Sequence, residues 1–244
     1  MHDTAFGYEG RKDYLCVTER IDMNRILFLF IWLSALCTQA QQPSATALRM
    51  QKQGLVDIKT LAEDIPVDLM YARADNFTGK VLYADLREAY LHPKAAQALV
   101  KAQRILKQMR PDLSLKIYDA TRPMHIQQKM WNVVAGTAQA KYVSNPKNGG
   151  GLHNYGMAVD VTLCNSKGDT IPMGTHIDYL GSYAHITHEA ELVQKGIITA
   201  EAKANRELLR KVMKQAGWRA LNSEWWHFNY ISRAEAKAQY KPIP

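Results

Sequence analysis

Cysteine is scarce. The chain of 244 residues holds three, Cys16, Cys37 and Cys164, and two of these fall in a stretch that reads as a removable leader. The remainder then cannot close an intrachain disulfide, even in a compartment that permits one, and must be held by its core. Long apolar runs are lacking as well. The run from Ile26 to Leu36 falls short of the about 20 residues a spanning helix needs, so no stable membrane span is expected. No internal repeat or linker follows it. The balance of 31 basic against 23 acidic residues gives a net charge of +8, but Lys and Arg are spread without a basic run or an aromatic-interleaved patch. Nucleic acid is therefore not an expected partner, and a solvated basic surface accounts for the excess.

What is present begins with the N-terminus. Met23-Asn24-Arg25, the apolar run and Thr38-Gln39-Ala40 have the basic, apolar and small-residue regions of a secretory signal. Residues 1–40 are thus expected to be upstream residues plus a signal starting at Met23 and cleaved near Ala40, which places the mature protein in the periplasm or outside the cell. Cys37 in Ser-Ala-Leu-Cys suggests a lipid-anchored cysteine only weakly, since Leu36 stands where a small residue is needed. Residues 41–54, rich in Gln, Ser, Ala and Thr, read as a flexible leader, and 55–244 as one domain.

Within that domain, Pro93 opens a helix with Ala95, Leu99, Ala102, Ile105, Leu106 and Met109 on one face. Leu113, Leu115 and Ile117 alternate as a strand leading into Tyr-Asp-Ala-Thr-Arg-Pro, and another helix runs from Pro123 to Val134. Met157, Val159, Val161 and Leu163 alternate as a second strand, with Ala158, Asp160 and Thr162 on its other face. Thr199 caps a helix whose stripe is Ala204, Leu208, Leu209, Val212 and Met213, and Gly217 ends it. The last strand signal lies in 218–230. Few, short, irregularly spaced strands among helices predict an α+β fold, a small mostly antiparallel sheet flanked by helices. Asn76-Phe77-Thr78, inside turn chemistry, also matches a glycosylation sequon.

Chemistry concentrates in two places. Gly149 to Val161 sets His153 and Asp160 seven residues apart among glycines. An aspartate on an apolar strand is costly to bury unless something offsets its desolvation, and a divalent cation would. A catalytic zinc takes three protein ligands and leaves a fourth position for water, and His153, Asp160 and His227 are the candidates. The plain alternative is an aspartate capping a turn. The second place is Glu224-Trp225-Trp226-His227. Positions three apart on a strict strand face opposite ways, so Glu224 is expected in the loop just before the strand, where it can serve as general base on a water while His227 binds metal. Its alternative is a solvated loop carboxylate. His176, His185 and His188 cluster between the strand and the last helix and could in principle ligate a metal, with a solvated loop or helix face as the reading for His185 and His188, and Cys164 is read as a small buried hydrophobe.

Taken together, His-x-x-Gly-x-Ala-x-Asp at 153–160, Glu-Trp-Trp-His at 224–227, residues 67–80, 118–123 and 172–180 resemble the zinc D-Ala-D-Ala metallopeptidases, most closely the D-alanyl-D-alanine dipeptidases of the vancomycin-resistance type. The resemblance runs from about residue 57 to 230. It implies one Zn²⁺ per chain on His153, Asp160 and His227, Glu224 as base, Arg122 stabilising the tetrahedral oxyanion, and Tyr71 and Asp178 holding the substrate's free ammonium group. Arg122 as a surface ion-pair partner, and Tyr71 and Asp178 as core-edge residues, are the alternatives. One position departs from the pattern: the family has serine two residues before the first zinc histidine, and here Gly151 stands there.

The resulting expectation is a zinc dipeptidase acting on D-alanyl-D-alanine or a related dipeptide, with peptidoglycan fragments as a further partner. A D,D-carboxypeptidase or endopeptidase acting on muropeptides is the nearest alternative. A non-catalytic envelope-binding protein that retained the metal site is an alternative of another class.

Overall fold

A computed structural model describes residues 42–244. The expected signal from Met23, the residues upstream of it and Cys37 lie outside the described residues. Among the described residues no helix is long and apolar enough to cross a membrane.

The 41–54 expectation needs correction. Instead of a flexible leader, Ala45–Lys52 forms helix α1, capped by the Ser44 hydroxyl, which accepts from the Ala47 amide at 3.0 Å. Ala47 and Met50 are fully buried in the core, Asp85 accepts from the Thr46 amide at 3.1 Å, and Gln51 donates to the Tyr90 hydroxyl at 2.8 Å. Two apolar positions one turn apart are too little to announce a helix in sequence; contacts with distant residues make it.

After α1, strand β1 (Val56–Asp57) pairs antiparallel with β2 (Tyr90–Leu91). Helix α2 (Pro93–Met109) starts where Pro93 can sit without losing a hydrogen bond. It buries Ala95, Leu99, Ala102 and Leu106 as the spacing predicts, while Ile105 is half-buried and Met109 lies 38% exposed. The main sheet is four-stranded in the order β3 (Ser114–Asp119), β4 (Ala158–Cys164), β6 (Glu224–Asn229), β5 (Arg219–Leu221). Neighbouring strands are antiparallel throughout it. The α+β expectation stands.

Helix α3 (Met124–Val134) follows β3, and α4 (Glu189–Gln194) and α5 (Ala200–Gln215) precede β5. Helices α2 and α5 pack on each other and on the sheet. Helix α6 (Arg233–Gln239) lies near the C-terminus. Every residue of β4 is buried, so both its faces are enclosed: one by the core, the other by the site described below. Cys164, at its end, is a buried free thiol, as expected. Asn76 is committed to turn architecture, its amide donating to the carbonyls of Arg73 and Lys80 at 2.7 and 2.9 Å.

Of the stripe expected for α5, Leu209, Val212 and Met213 are buried and Leu208 is half-buried, but Ala204 is exposed, and Ala202 and Arg206 are buried instead. Arg206 is fully buried. It donates to the Met173 carbonyl at 2.6 Å and to the Tyr183 carbonyl at 3.2 Å, stands against Glu189 and lies over the Trp225 ring. Arg206 thus pins the loop 172–184 to the helix and to β6. Arg206→Met is expected to cost about 3 kcal/mol in urea unfolding, because the two carbonyls lose their partners and Glu189 keeps only Arg210. A change within about 0.5 kcal/mol would show that the loop is held by packing alone.

Candidate active site

Backbone pairing builds the centre. Asp160 and His227 are direct partners across β4 and β6, which sets their side chains together on one face. His153 reaches the same point from a 3₁₀ turn, Leu152–Tyr155, ended by Gly156 at φ +67°. A Cβ at Gly156 would lie 2.9 Å from the His92 amide nitrogen and 3.0 Å from the Thr121 hydroxyl. Glycine is required there both for the left-handed turn and for the close approach of 92 and 121, and the turn is what carries His153 back over β4.

The expected metal ligands therefore meet. His227 Nδ1 lies 3.0 Å from Asp160 Oδ1, and His153 Nε2 lies 3.3 Å from Asp160 Oδ2. One ligand atom from each of the three falls within 4.8 Å of the others. The outer ring nitrogens define the tautomers: His153 Nδ1–H donates to the Ala120 carbonyl at 2.6 Å and His227 Nε2–H to Asn229 Oδ1 at 2.9 Å. The inner nitrogens are then bare lone pairs, and they stand only 3.1 Å apart. Two lone pairs and a carboxylate at such separations repel unless positive charge sits among them. The donor set, with its outer N–H groups anchored on carbonyls, fits a divalent ion.

Arg122 is buried, not the surface residue of the plain alternative. A register shift between Ile117 and Asp119 sets Asp119 opposite Asp160, and Arg122 lies against both carboxylates. It donates from Nε and Nη2 to Asp119 at 3.0 and 2.5 Å and from Nη1 to Gln127 at 2.9 Å, with Asp160 Oδ2 3.9 Å away. A guanidinium has five N–H donors, so one on Nη1 and one on Nη2 are left for a ligand. Its backbone is tied to the ligand turn: Arg122 N donates to the His153 carbonyl at 3.0 Å and Asn154 Nδ2 to the Arg122 carbonyl at 2.7 Å. Asp119, Gln127, Asn154 and Asn229 were not singled out from sequence. Asp119 had a signal, since it stands in the same short motif as Arg122; the two asparagines and Gln127 had none.

Tyr71 and Asp178, distant in sequence, are joined. Tyr71 donates to Asp178 Oδ1 at 2.8 Å, the Phe77 amide to Oδ2 at 2.8 Å, and Arg122 lies 5.1 Å from the centre of the Tyr71 ring. Asp178 has φ +73°, uncommon for a residue other than glycine, and the strain is held by those two bonds. Burial raises its carboxyl to about 6, against the pull of the Phe77 and Tyr71 donors. Burial also pushes the Tyr71 phenol well above its ordinary range, so it stays a donor.

Glu224 corrects one expectation. It is the first residue of β6, not a loop residue before it. It nonetheless shares the cleft with His227 because the β5–β6 register shifts between Ala220 and Leu221, an irregularity that breaks strict alternation. Burial lifts its carboxyl to about 7; Asp160 and Asp178 add to the rise and Arg122 opposes it. A carboxylate with that affinity can accept and return a proton near neutral pH.

All seven side chains, Tyr71, Arg122, His153, Asp160, Asp178, Glu224 and His227, line one cleft of about 250 Å³. That is slightly below the roughly 300–1,000 Å³ of pockets for drug-sized ligands, a size for a small molecule. His176 and His188 are outside it, and His185 instead meets the Tyr142 hydroxyl at 3.2 Å.

Comparison with known proteins adds the following. A family profile described as D-ala-D-ala dipeptidase matches residues 51–243. A D-alanyl-D-alanine dipeptidase of Escherichia coli is 34% identical over 174 residues, covering 71% of this chain and 83% of that protein. Proteins of the same name from Enterococcus faecalis and Enterococcus faecium are 28% and 27% identical, each covered over 93% of its length by 74% and 75% of this chain.

Proposed function

Because the chain belongs to the D-Ala-D-Ala dipeptidase family of peptidases, we propose that it hydrolyses D-alanyl-D-alanine to two amino acids with one Zn²⁺ held by His153, Asp160 and His227. The carrying observation is that His153, Asp160 and His227, a group that could hold a metal ion, share one small cleft with Glu224, Arg122 and Asp178. The ion would supply Lewis acidity and a water of lowered pKa. Glu224 accepts the proton of the attacking water on its carboxylate and returns it to the leaving amine. The free N–H groups of Arg122 donate to the oxygen that gains negative charge, while Asp119 and Gln127 keep the guanidinium from turning away. Asp178, backed by Tyr71, takes the substrate's ammonium group. A blocked amine would bring no positive charge to that buried carboxylate and would set an acyl group against it, so a free N-terminus is demanded.

The basic, apolar and small-residue pattern from Met23 to Ala40 supports an extracytoplasmic location, and peptidoglycan-derived dipeptides are then the substrate at hand.

The test pairs metal analysis with turnover on D-Ala-D-Ala, its N-acetyl derivative and a pentapeptide stem ending in D-Ala-D-Ala. The expected result is one zinc per chain and hydrolysis of the free dipeptide, with the acetylated form at least about 10²-fold poorer. Release of D-Ala from the pentapeptide alone would establish the carboxypeptidase alternative. Bound zinc without turnover of any peptide would establish the binding protein.

A further inference from the structure

We infer that Ser144 is a substrate-binding residue of this cleft, its hydroxyl standing in for a side chain that Gly151 lacks. The inference rests on the dipeptidase reading of the cleft. Residue 151 precedes the His153 ligand by two positions and lines the cleft, as does Ser144. Gly151 has φ −106°, so its backbone does not call for glycine. The neighbouring side chain does: a Cβ built on Gly151 would lie 2.8 Å from Ser144 Oγ and 3.2 Å from Ser144 Cβ. A side chain at 151 would force the Ser144 hydroxyl to swing out of its present place and the Ser144 Cβ to give by a few tenths of an ångström. The space beside the first ligand turn that one would fill is filled by the other, approaching from the chain segment after Val143.

Ser144 is positioned, not loose. Its carbonyl accepts from Gln127 Nε2 at 2.8 Å, and Gln127 Oε1 accepts from Arg122 Nη1 at 2.9 Å. One amide side chain therefore sets both the guanidinium and the Ser144 backbone. The Ser144 hydroxyl itself is unengaged among the described residues, half-buried and in the cleft. From Ser144 the contacts run through Gln127 and Arg122 to Tyr71 and then Asp178. Asp178 is assigned the positive end of a dipeptide, and Ser144, lining the same cleft with a hydroxyl that has no partner among the described residues, is assigned a hydrogen bond to its C-terminal carboxylate.

The experiment compares wild type, Ser144→Ala, Gly151→Ser and the double variant Ser144→Gly/Gly151→Ser, in D-Ala-D-Ala kinetics and in calorimetric titration of the dipeptide into each of them carrying Glu224→Gln. Alanine keeps the carbonyl that Gln127 holds, so melting should be unchanged. Ser144→Ala is expected to raise KM and the dissociation constant about tenfold or more, the loss of one hydrogen bond to a charged group, with kcat little altered. Gly151→Ser alone should bind poorly through its collision with Ser144. The double variant, which returns a hydroxyl from position 151 with the obstruction removed, should recover affinity to within about threefold of wild type. An affinity for Ser144→Ala within about twofold of wild type, or a double variant no better than Ser144→Ala, overturns the proposal. A wild-type protein that binds the dipeptide without hydrolysing it defeats the dipeptidase reading alone, and the titrations still judge Ser144. A protein that does not bind the dipeptide overturns both.

Discussion

Glu224→Gln is expected to lower kcat on D-Ala-D-Ala by roughly 10²- to 10⁴-fold, the range for removing a general acid–base group, while one divalent ion per chain stays bound. Glutamine keeps the size and a hydrogen-bonding oxygen of the side chain and loses its negative charge and with it the proton shuttle. The same substitution should stabilise the metal-free protein. Folding lifts the Glu224 carboxyl from 4.5 to about 7, so the folded state favours the protonated acid. That contribution is fully present below about pH 4.5 and is lost as pH rises through 7. Above pH 7 the ionised carboxylate costs about 3 kcal/mol at most relative to a neutral side chain, and less in practice because the half-buried group is partly screened. Urea unfolding of chelator-treated protein should then show the glutamine variant ahead of wild type at pH 8, with the gap shrinking below about 1 kcal/mol at pH 5. Equal stabilities at both pH values would mean that the carboxylate is better solvated than its place at the head of β6 indicates. A variant with full turnover would remove Glu224 from the proton path.

The second large effect is expected from His153→Ala. Divalent metal should fall from one ion per chain to near none, and turnover should drop on the order of 10³-fold or more, as befits loss of a Lewis acid contributing several kcal/mol. The readout that separates ligand loss from misfolding is thermal. Wild-type protein stripped by a chelator should regain stability when zinc is added, by about 2.7 kcal/mol at a hundredfold excess over the dissociation constant. The variant should not respond. Its metal-free form loses the His153 donor to the Ala120 carbonyl, so some loss of stability is expected there, and it is the missing response to zinc that reports the lost ligand. Metal content unchanged from wild type would overturn the ligand assignment.

How far these residues were legible from sequence depends on distance along the chain. His153 and Asp160 are close in sequence, and an aspartate on an apolar strand is conspicuous by its desolvation cost. Glu224 and His227 stand out among three aromatic residues. The strand bearing Asp160 and helix α2 follow from periodicity alone. Arg122, Tyr71 and Asp178 were reached through resemblance to a family, because nothing local marks them: Tyr71 and Asp178 are distant in sequence and meet only when the loop 172–184 folds over the cleft. Helix α1 was misread, and Arg206 was passed over, for the same reason. Nothing local marks an arginine as buried until a loop presents carbonyls for its donors, and a Gln- and Ser-rich stretch reads as flexible until Ala47 and Met50 find a core.

The sequence by itself determined the class of fold and pointed to the ligand set and to the side chain proposed as base, because those rest on residue type and on spacing within one element. Tertiary structure decided the rest. Strand pairing set His227 directly against Asp160, and a register shift turned Glu224 into the same cleft. A second register shift brought Asp119 opposite Asp160, giving Arg122 a partner that fixes it in place. Packing put Ser144 where a side chain at 151 would have gone, a relation between segments seven residues apart that no spacing rule contains. Each is a contact whose energy exists only once separate segments have met, and so it has no signature in either segment alone.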